Sequence, residues 1–498
     1  MQRPNILLIC SDMIAAKHFG CYGDPAAVTP NIDAIAERGV RFDEAYCNCP
    51  PCIPARVSMM CGQYAHTHGK TAHILMELQP RPALIPELLS SQGYRTGLVG
   101  KTHWWPPTDT LGCDIAYITI DNHRAGYELG DNDAYFQFLS DRGLFSYNES
   151  TWEQDKHLLD ADNLPFDCLK VNWTGDMACS LLDTLSDGDA PFFLYCSFIE
   201  PHWSGPHGAG SVQADQLEKF RDIPLRPIIR GDGEHNNKPA VQKNWAARLK
   251  TIFADRDLDH ERRSVYASLN LVDQNIGKIV KKLEQLEVKD NTVVIFLSDH
   301  GDLMFDHGLI EKTFLYDSAV RIPLIMAGPS IPQGEERGNL VGQIDLLPTV
   351  LDLCGIKKDG LLIEGRSIIP ILDDPASEWR KTLFCEVEQS VHVLGPPGLE
   401  ESVPLVNPIS SAIAKMLRTG SWKYIYTLLD GHTVEEELYN LDDDPDELYN
   451  IAHDPVQAER IVEFRSEMLQ WMVATEVNRL HPAPENTYPV PRVDKRYL

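Results

Sequence analysis

The chain has 498 residues, of which 43% are hydrophobic and 24% are charged, and its formal net charge is −28. This composition is typical of a soluble globular protein with a large core, and the acidic excess disfavours binding to nucleic acid or to an anionic membrane. The sequence contains no run of 18 apolar residues, so it predicts no membrane-spanning helix.

The N-terminus lacks the basic region, apolar stretch and cleavage site of a signal peptide. We therefore expect a cytoplasmic protein, with an exported form whose leader has been trimmed as the alternative. The twelve cysteines are scattered, and several of them (Cys10, Cys196 and Cys354) lie inside apolar segments. This distribution favours reduced, buried thiols over a disulfide framework.

The first predicted elements are a buried strand and a short helix. Residues 5–10 form a continuous apolar run bounded by polar residues, as in a strand that is buried on both faces. Residues 29–39 have the pattern of a helix that ends at Gly39. Further strand-like runs follow at residues 94–99 and 192–198.

The clearest predicted unit covers residues 261–299. Its apolar residues recur at spacings of 4 and 3, which predicts an amphipathic helix, and residues 292–297 then form a buried strand. Strands that alternate with helices imply an α/β fold with a largely parallel sheet covered on both faces. The strand-end residues Asp12, His103 and Asp299 should therefore meet at the carboxyl edge of that sheet, where such folds bind ligands.

After Pro370 the pattern changes to short strands separated by turns, followed by an amphipathic helix over about residues 455–475. The chain from His481 onward is rich in proline and is predicted to be extended. The predicted strands in this part cover residues 415–418, 422–427 and 436–441.

Five short motifs in a fixed order resemble those of one family. The segment Cys52-Ile53-Pro54-Ala55-Arg56 has the pattern Cys-x-Pro-x-Arg, which type I sulfatases present to a maturation enzyme. A single cysteine is usually just a buried small residue, but four more motifs follow the order of this formylglycine-dependent family. They are residues 5–9 with Ser11-Asp12, Gly100-Lys101-Thr102-His103, Pro201-His202 and Ser298-Asp299-His300-Gly301-Asp302.

The resemblance implies an alkaline-phosphatase-like core with a large, mostly parallel sheet flanked by helices. It also implies a small antiparallel C-terminal subdomain, which the Trp422-Lys423-Tyr424 strand and the Glu437-Leu438-Tyr439-Asn440-Leu441 segment resemble. On this basis we predict a catalytic domain over residues 1–375 and a C-terminal subdomain with sheet, helix and tail over residues 376–498.

The chemistry implied by the resemblance begins with conversion of Cys52 to formylglycine by a maturation enzyme. The hydrated aldehyde carries two hydroxyls on one carbon. One of them binds the metal, loses its proton and attacks sulfur, and the other then loses its proton and expels sulfate, which regenerates the aldehyde. The chain should therefore cleave a sulfate monoester, from a small molecule or a sulfated saccharide, to an alcohol and sulfate.

The metal site implied by the resemblance consists of Asp12, Asp299, His300 and the modified Cys52. Carboxylate oxygens favour a hard divalent cation, Ca²⁺ first, while the imidazole leaves Mn²⁺ or Mg²⁺ as alternatives. The family usually carries a second carboxylate or an amide after the Asp12 position, whereas this chain has Met13. A thioether is a poor ligand for a hard cation, so we expect one protein ligand fewer.

Five further residues are candidates for catalysis through the resemblance. Arg56 should orient the formylglycine and neutralise nearby charge. The others should clamp the sulfate group or donate protons, since histidine titrates near neutral pH. These residues are Lys101, His103, His202 and Lys312.

Several residues lie near the motifs without a clear role. The adjacent pair Trp104-Trp105 suits ordinary packing better than stacking on a substrate ring or a quaternary ammonium. The cluster Cys47, Cys49 and Cys52 lacks the second ligand pair that a structural zinc site needs. Weaker histidine candidates are His66, His68, His73 and His307.

Two other functions fit the same motifs. A phosphonate monoester or phosphodiester hydrolase would share the nucleophile and the Asp-His pair. A non-catalytic binding protein on a sulfatase scaffold has Met13 as its only support. The maturation enzyme is the expected protein partner, and a homo-oligomer is left open.

Overall fold

The computed structural model describes residues 3–72, 77–78, 80–119, 132–144, 161–202, 212–390 and 411–480. Its strands are β1 (Asn5–Ser11), β2 (Gly39–Phe42), β3 (Ala45–Tyr46), β4 (Arg95–Lys101), β5 (Ile115–Thr119), β6 (Phe192–Ser197), β7 (Thr292–Ser298), β8 (Leu324–Ala327), β9 (Glu335–Arg337), β10 (Val341–Gly342), β11 (Thr382–Ser390), β12 (Ser411–Thr419), β13 (Trp422–Leu429) and β14 (Thr433–Asn440).

The strands form a large eight-stranded sheet and a smaller C-terminal sheet of β11 to β14. Helices cover both faces of the large sheet and also pack on the C-terminal sheet. They are α1 (Pro30–Glu37), α2 (Cys52–Cys61), α3 (Ala65–His68), α4 (Ile85–Ser90), α5 (Ala134–Asp141), α6 (Lys170–Leu185), α7 (Ala214–Glu218), α8 (Ala240–Ile252), α9 (Leu258–Gln285), α10 (Asp317–Val320), α11 (Leu346–Leu353), α12 (Ile369–Asp373) and α13 (Ala458–Leu480). No helix in the described ranges is both long and apolar enough to cross a membrane.

The large sheet has the order β5-β4-β6-β1-β7-β8-β2-β9. The strands from β5 to β7 are mutually parallel, whereas β8 runs antiparallel to both of its neighbours. Every residue of β1 is buried, and alternate side chains enter different cores, Leu7 and Ile9 on one face and Ile6 and Leu8 on the other. The predicted α/β fold with a mostly parallel sheet is therefore confirmed.

The helix predicted within residues 261–299 corresponds to α9, which is longer than its apolar stripe, and the strand predicted there corresponds to β7. Asp257 caps its first turn by accepting the backbone N–H groups of Asp259 and His260. The stripe packs against the sheet and α6, and its members are Val265, Leu269, Val272, Ile276, Ile279 and Leu283.

Gly39 has a different role from the one predicted. The residue at the end of α1 is Arg38, and Gly39 is the first residue of β2. A Cβ on Gly39 would lie 2.0 Å from the carbonyl oxygen of Met326, so a side chain there would clash with β8. The glycine therefore permits close pairing of two strands and does not end the helix.

The parallel strands bring the motifs to one edge of the sheet. Asp12 follows β1, Lys101 ends β4 and Asp299 follows β7. Gly100 has φ +100, and a Cβ there would lie 1.9 Å from the carbonyl oxygen of Ser197. Only glycine thus allows β4 to deliver Lys101 beside β6.

The C-terminal sheet, with the order β11-β12-β13-β14, is antiparallel throughout, as the resemblance implied. Helix α13 packs on it through Ile461, Phe464 and Trp471. Strand β11 also contacts the core, since the backbone N–H of Glu386 donates to the carbonyl of Asn48 over 2.9 Å. The domain boundary after residue 375 stays a prediction, and the tail from residue 481 lies outside the described residues.

Candidate active site

Cys52 is the first residue of α2 and is buried, with 1% of its surface exposed. The segment before it is anchored by Asn48, whose Nδ2 donates to the carbonyl of Phe384 (2.9 Å) and whose Oδ1 accepts the backbone N–H of Ile344 (3.1 Å). Helix α2 ends at Gly62, which adopts φ 69. The positive end of the α2 dipole therefore lies at the residue 52 side chain.

Four ligand-type side chains converge at this point. One atom each of Asp12, Cys52, Asp299 and His300 lies within 4.8 Å of the other three. His300 Nε2 is 3.1 Å from Cys52 Sγ and 3.5 Å from an oxygen of each aspartate. Because His300 Nδ1 donates to the carbonyl of Gly301 (2.9 Å), the ring presents Nε2 to the cluster.

The cluster fits a divalent cation. Among the described residues the buried Asp12 Oδ1 has no hydrogen-bond partner, whereas Asp12 Oδ2 contacts Lys101 Nζ and Arg56. An unpartnered buried carboxylate oxygen is costly unless a group such as an ion satisfies it. Two carboxylates and an imidazole are suitable ligands for Ca²⁺, Mg²⁺ or Mn²⁺, and Cys52 Sγ is the fourth ligand-type atom of the cluster.

Arg56 lies beneath the cluster and is buried. Its Nε donates to Asp299 Oδ2 over 2.8 Å, and its Nη2 lies 3.3 Å from Asp12 Oδ2. Its Nη1 donates to Tyr195 and Ser197, over 3.0 and 2.7 Å. The guanidinium therefore neutralises both aspartates and orients their remaining oxygens, in contrast to a surface salt bridge.

Lys312, His202 and Met13 form a second group beside the cluster. Lys312 Nζ is 3.0 Å from His202 Nε2 and 3.7 Å from Met13 Sδ. Within the part of the chain that the structure describes, no carboxylate lies within ion-pair distance of this ammonium. Met13 has φ 60, and its backbone N–H donates to Asp299 Oδ1 (3.2 Å), so it borders the cluster with its sulfur on the lysine.

The residue 52 side chain lies in a cationic environment. Burial alone would raise the pKa of the Cys52 thiol, but the charges of Lys101, Lys312 and His300 and a hydrogen bond from His103 lower that pKa well below its ordinary value. The site therefore favours a negative charge at position 52.

The family model described as Sulfatase matches residues 4–356. This chain belongs to the sulfatase family. It is 30% identical over 377 residues to an uncharacterized sulfatase of Escherichia coli, covering 74% of this chain and 71% of that protein. It is 25% identical over 410 residues to an arylsulfatase of Clostridium perfringens, covering 77% and 81%.

The fold has a solved counterpart in a phosphonate monoester hydrolase from Silicibacter pomeroyi. The TM-score is 0.76 with 21% identity, and the match covers 95% of this chain and 96% of that one. At this identity the likeness shows the fold alone. The family match and the sequence relatives make the protein a hydrolase of the sulfatase type.

Several weaker candidates in this sulfatase have structural partners. His66 bridges Glu386 (2.7 Å) and Thr475 (2.6 Å), and thereby ties α3 to the C-terminal subdomain. His68 Nε2 lies 2.9 Å from Ser58 Oγ, and burial lowers its pKa to about 3. His307 pairs with Glu234 over 2.8 Å. His73 lies outside the described residues.

The cysteine and tryptophan candidates also have other surroundings. None of the twelve cysteines forms a disulfide. The Sγ atoms of Cys47 and Cys49 contact backbone carbonyls, and in the described part of the chain neither belongs to a metal-type cluster. Trp104 is buried, and the Arg81 guanidinium lies 5.7 Å from its ring centroid. One face of that ring is therefore already occupied by a cation.

The sequence reasoning missed two supporting residues, Tyr195 and Ser197. Both lie in β6 and hold the Arg56 guanidinium. They are two residues apart in a fully buried strand, so they face the same side of the sheet. Polar groups with this period in an otherwise apolar run are the signal that could have identified them.

Proposed function

We propose that this sulfatase hydrolyses a sulfate monoester to an alcohol and sulfate, with a formylglycine made from Cys52 and one divalent cation. The observation that carries the proposal is the position of Cys52 Sγ, which lies within 4.8 Å of ligand atoms of Asp12, Asp299 and His300. The cationic groups around it favour a negatively charged nucleophile and an anionic substrate.

Asp12, Asp299 and His300, with an oxygen of residue 52, would hold the cation. Ca²⁺ is the first choice and Mg²⁺ or Mn²⁺ the alternatives, because most of these ligands are oxygens. When bound, the cation stabilises negative charge on oxygen and polarises the ester group. Arg56 keeps the two carboxylates oriented for this purpose through its contacts with both.

Formylglycine, once hydrated, supplies one hydroxyl to attack sulfur and a second to release sulfate. His103 hydrogen bonds to the side chain at position 52, so it can take up or return a proton there. Lys312 can hold a sulfate oxygen, because no described carboxylate neutralises it. His202 lies 3.0 Å from that ammonium, so the pair can deliver a proton to the leaving alcohol.

The maturation enzyme is the proposed protein partner. Cys52 is only 1% exposed and lies in a helix whose residues are all buried. An enzyme cannot reach this thiol in the folded chain, so the conversion must precede the packing of α2. Folded protein that contains the thiol should then resist conversion, which incubation with the maturation enzyme and peptide mass measurement would test.

The substrate class is proposed from the relatives. The arylsulfatase of Clostridium perfringens supports an aryl or other small sulfate ester, and a sulfated saccharide is the alternative. The likeness to the phosphonate monoester hydrolase concerns the fold and does not favour that activity. A homo-oligomer is left open, and light scattering of the purified protein would decide it.

The test begins with protein co-produced with a maturation enzyme. The mass of the peptide that contains residue 52 should show loss of sulfur, and hydrazides should react with it. The metal-loaded protein should hydrolyse para-nitrophenyl sulfate with a higher kcat/KM than the corresponding phosphonate monoester or phosphodiester. Active protein with an intact thiol at residue 52 would contradict the mechanism, and no sulfatase turnover by fully converted protein would contradict the activity.

A further inference from the structure

The segment from Asp302 to Lys312, here called the 302–312 loop, joins the metal-ligand cluster to the lysine beside it. It begins two residues after His300 and ends at Lys312. Several non-glycine residues in it adopt left-handed backbone angles, which the surroundings must hold in place. These residues are Met304 (φ 43), Phe305 (φ 74), His307 (φ 58) and Glu311 (φ 63).

Asp302 closes this loop at its base. Its side chain is buried, and its Oδ1 accepts the backbone N–H of Met304 (3.1 Å) and that of Glu311 (2.9 Å). The backbone N–H of Leu303 donates to the carbonyl of Glu311 over 2.8 Å. The two ends of the loop are therefore fastened together directly before Lys312.

The middle of the loop is held by separate contacts. Asp306 accepts the backbone N–H of Ile229 (2.8 Å) and the hydroxyl of Ser318 (2.9 Å). His307 stacks on Tyr316 with 3.9 Å between ring centroids. Loss of Asp302 would thus loosen the base of the loop, where the hydrogen bond between Leu303 and Glu311 would remain, and leave its middle in place.

We propose that Asp302 is a positioning residue that aims the Lys312 ammonium at the sulfate group of the substrate. Lys312 Nζ contacts His202 Nε2 and Met13 Sδ, and no carboxylate among the described residues fixes it. Its direction is therefore set by these two contacts and by the backbone on which it lies, and Asp302 holds that backbone through the N–H of Glu311. This inference rests on the proposed function, because it takes sulfate as the anion that Lys312 meets.

The test compares Asp302→Ala with Asp302→Asn. Alanine leaves two buried N–H groups without an acceptor, so we expect KM for para-nitrophenyl sulfate to rise about tenfold, with a smaller change in kcat. Calorimetry should show a similar loss of affinity for inorganic sulfate. Asparagine keeps the Oδ1 acceptor and should restore both values to within about twofold.

A matched control is Asp273→Ala. Asp273 is also buried, and its Oδ1 accepts two backbone N–H groups, from Asn31 (3.0 Å) and Ile32 (2.8 Å), away from the site. Its loss should lower the thermal midpoint without changing KM or sulfate affinity. If it changes them as Asp302→Ala does, general destabilisation explains both variants and the proposal is wrong.

A double variant tests whether Asp302 acts through Lys312. In the Lys312→Ala background, Asp302→Ala should cause no further loss of sulfate affinity, and additive losses would overturn the proposal. If Asp302→Ala does not fold, Asp302→Ser replaces it, because the shorter serine side chain withdraws its oxygen from the position of Oδ1, and an unchanged KM would then be the contrary result. Wild-type protein that binds sulfate without turnover would refute the proposed function alone, whereas absence of sulfate binding would refute this inference.

Discussion

Two regions of this sulfatase bury charged side chains, and they pair those charges differently. One is the active site at the carboxyl edge of the large sheet. The other is the interface between the catalytic core and the C-terminal sheet, here called the seam, which contains Lys238, Asp317, Lys423, Glu437 and Glu447. Buried charges are stable only when they are paired, so the comparison shows which of them serve the fold.

In the seam each of these charged side chains has a close polar partner. Lys423 Nζ forms ion pairs with Asp317 (2.5 Å) and Glu447 (2.6 Å). Lys238 Nζ donates to the hydroxyl of Tyr439 (2.6 Å), which itself donates to Glu437 (2.5 Å). The charged groups of this network pair with one another, and the network joins the catalytic core to the C-terminal sheet.

The active site leaves its pairing incomplete. In the described part of the chain neither Asp12 Oδ1 nor Glu447 Oε1 makes a hydrogen bond. However, Glu447 Oε1 lies 2.6 Å from Lys423 Nζ, whereas Asp12 Oδ1 lies 3.5 Å from His300 Nε2. Lys312 has no described carboxylate within ion-pair distance. Burial alone would raise the pKa of Cys52, but the charges of Lys101, Lys312 and His300 lower it well below its ordinary value. Buried lysines and carboxylates thus stabilise the fold in the seam, where they pair with one another. In the active site the same residue types keep an atom available for a ligand.

The largest expected effect comes from Cys52→Ala, which removes the only proposed nucleophile. We expect kcat to fall by about 10⁴-fold or more with an unchanged circular dichroism spectrum. Cys52→Ser should be nearly as poor, because a serine ester of sulfate has no second hydroxyl to expel the sulfate. Cys49→Ala, which removes a neighbouring buried thiol, is the control, and activity in Cys52→Ala equal to that control would refute the assignment.

The next effect concerns the carboxylates of the cluster. Asp299→Asn or Asp12→Asn should weaken cation binding by at least about 100-fold, since even outer partners of a metal ligand contribute 10- to 100-fold. Equilibrium dialysis with elemental analysis measures this, and chelation should abolish wild-type activity. Asp273→Asn, a buried carboxylate elsewhere, should bind the cation normally. Full activity of the chelated, metal-depleted enzyme would rule out the site.

Substitutions in the seam should have the opposite effect: they should lower the free energy of unfolding and leave kcat unchanged. Lys423→Met leaves buried Glu447 without its cation and leaves Asp317 with Arg321 Nη1 at 3.9 Å, so the free energy of unfolding should fall by about 3–5 kcal/mol while kcat is unchanged. Denaturant titration measures the loss. In Lys278→Met, which removes an exposed pair with Asp176, the loss should stay below about 1 kcal/mol. A loss of similar size in both variants would show that the buried ion pairs of the seam stabilise the fold no more than an exposed ion pair does.

Local patterns were sufficient to predict the framework of the site. Strands β1 and β7 are continuous apolar runs, so their ends could be located, and Asp12, Asp299 and His300 follow them directly. Parallel pairing then implied that these ends lie side by side. These predictions needed only residues close in sequence and one rule of α/β folds.

Contacts between distant segments could not be predicted in this way. Arg56 contacts Tyr195 and Ser197 only because β6 lies beside β1 in the sheet. The 302–312 loop is closed because the Asp302 side chain reaches the backbone N–H of Glu311. The role of Gly39 likewise required the position of β8. The period of Tyr195 and Ser197 marks both as polar residues on one side of β6 but does not identify Arg56 as their partner. The contacts of Asp302 and Gly39 have no period or spacing in the sequence that reveals them.

A smaller effect is expected from Met13→Gln. The backbone of Met13 borders the cluster, but its thioether is a poor ligand for a hard cation. An amide oxygen at this position should therefore tighten cation binding, by up to about tenfold, and Met13→Leu should leave it unchanged. Metal titration of the three proteins measures this. Equal affinities would mean that side chain 13 does not reach the cation.

The smallest effect is a change in how stability depends on pH. Burial, together with Asp317, raises the pKa of Glu447 to about 7, against the opposing effect of Lys423. The folded protein then holds this proton more tightly than the unfolded chain. The stability that Glu447 contributes is fully present below its ordinary pKa and is lost as the pH rises through about 7.

Glu447→Gln removes this titration and should flatten the fall of the thermal midpoint between about pH 5 and pH 8. Relative to wild type, the variant should therefore be more stable at the upper end of that range than at the lower end. Thermal denaturation at several pH values measures the difference, with Glu463→Gln on the exposed face of α13 as control. If the curves of thermal midpoint against pH run parallel for wild type and Glu447→Gln, Glu447 does not titrate between about pH 5 and pH 8. The charges of the seam would then stay the same over that range.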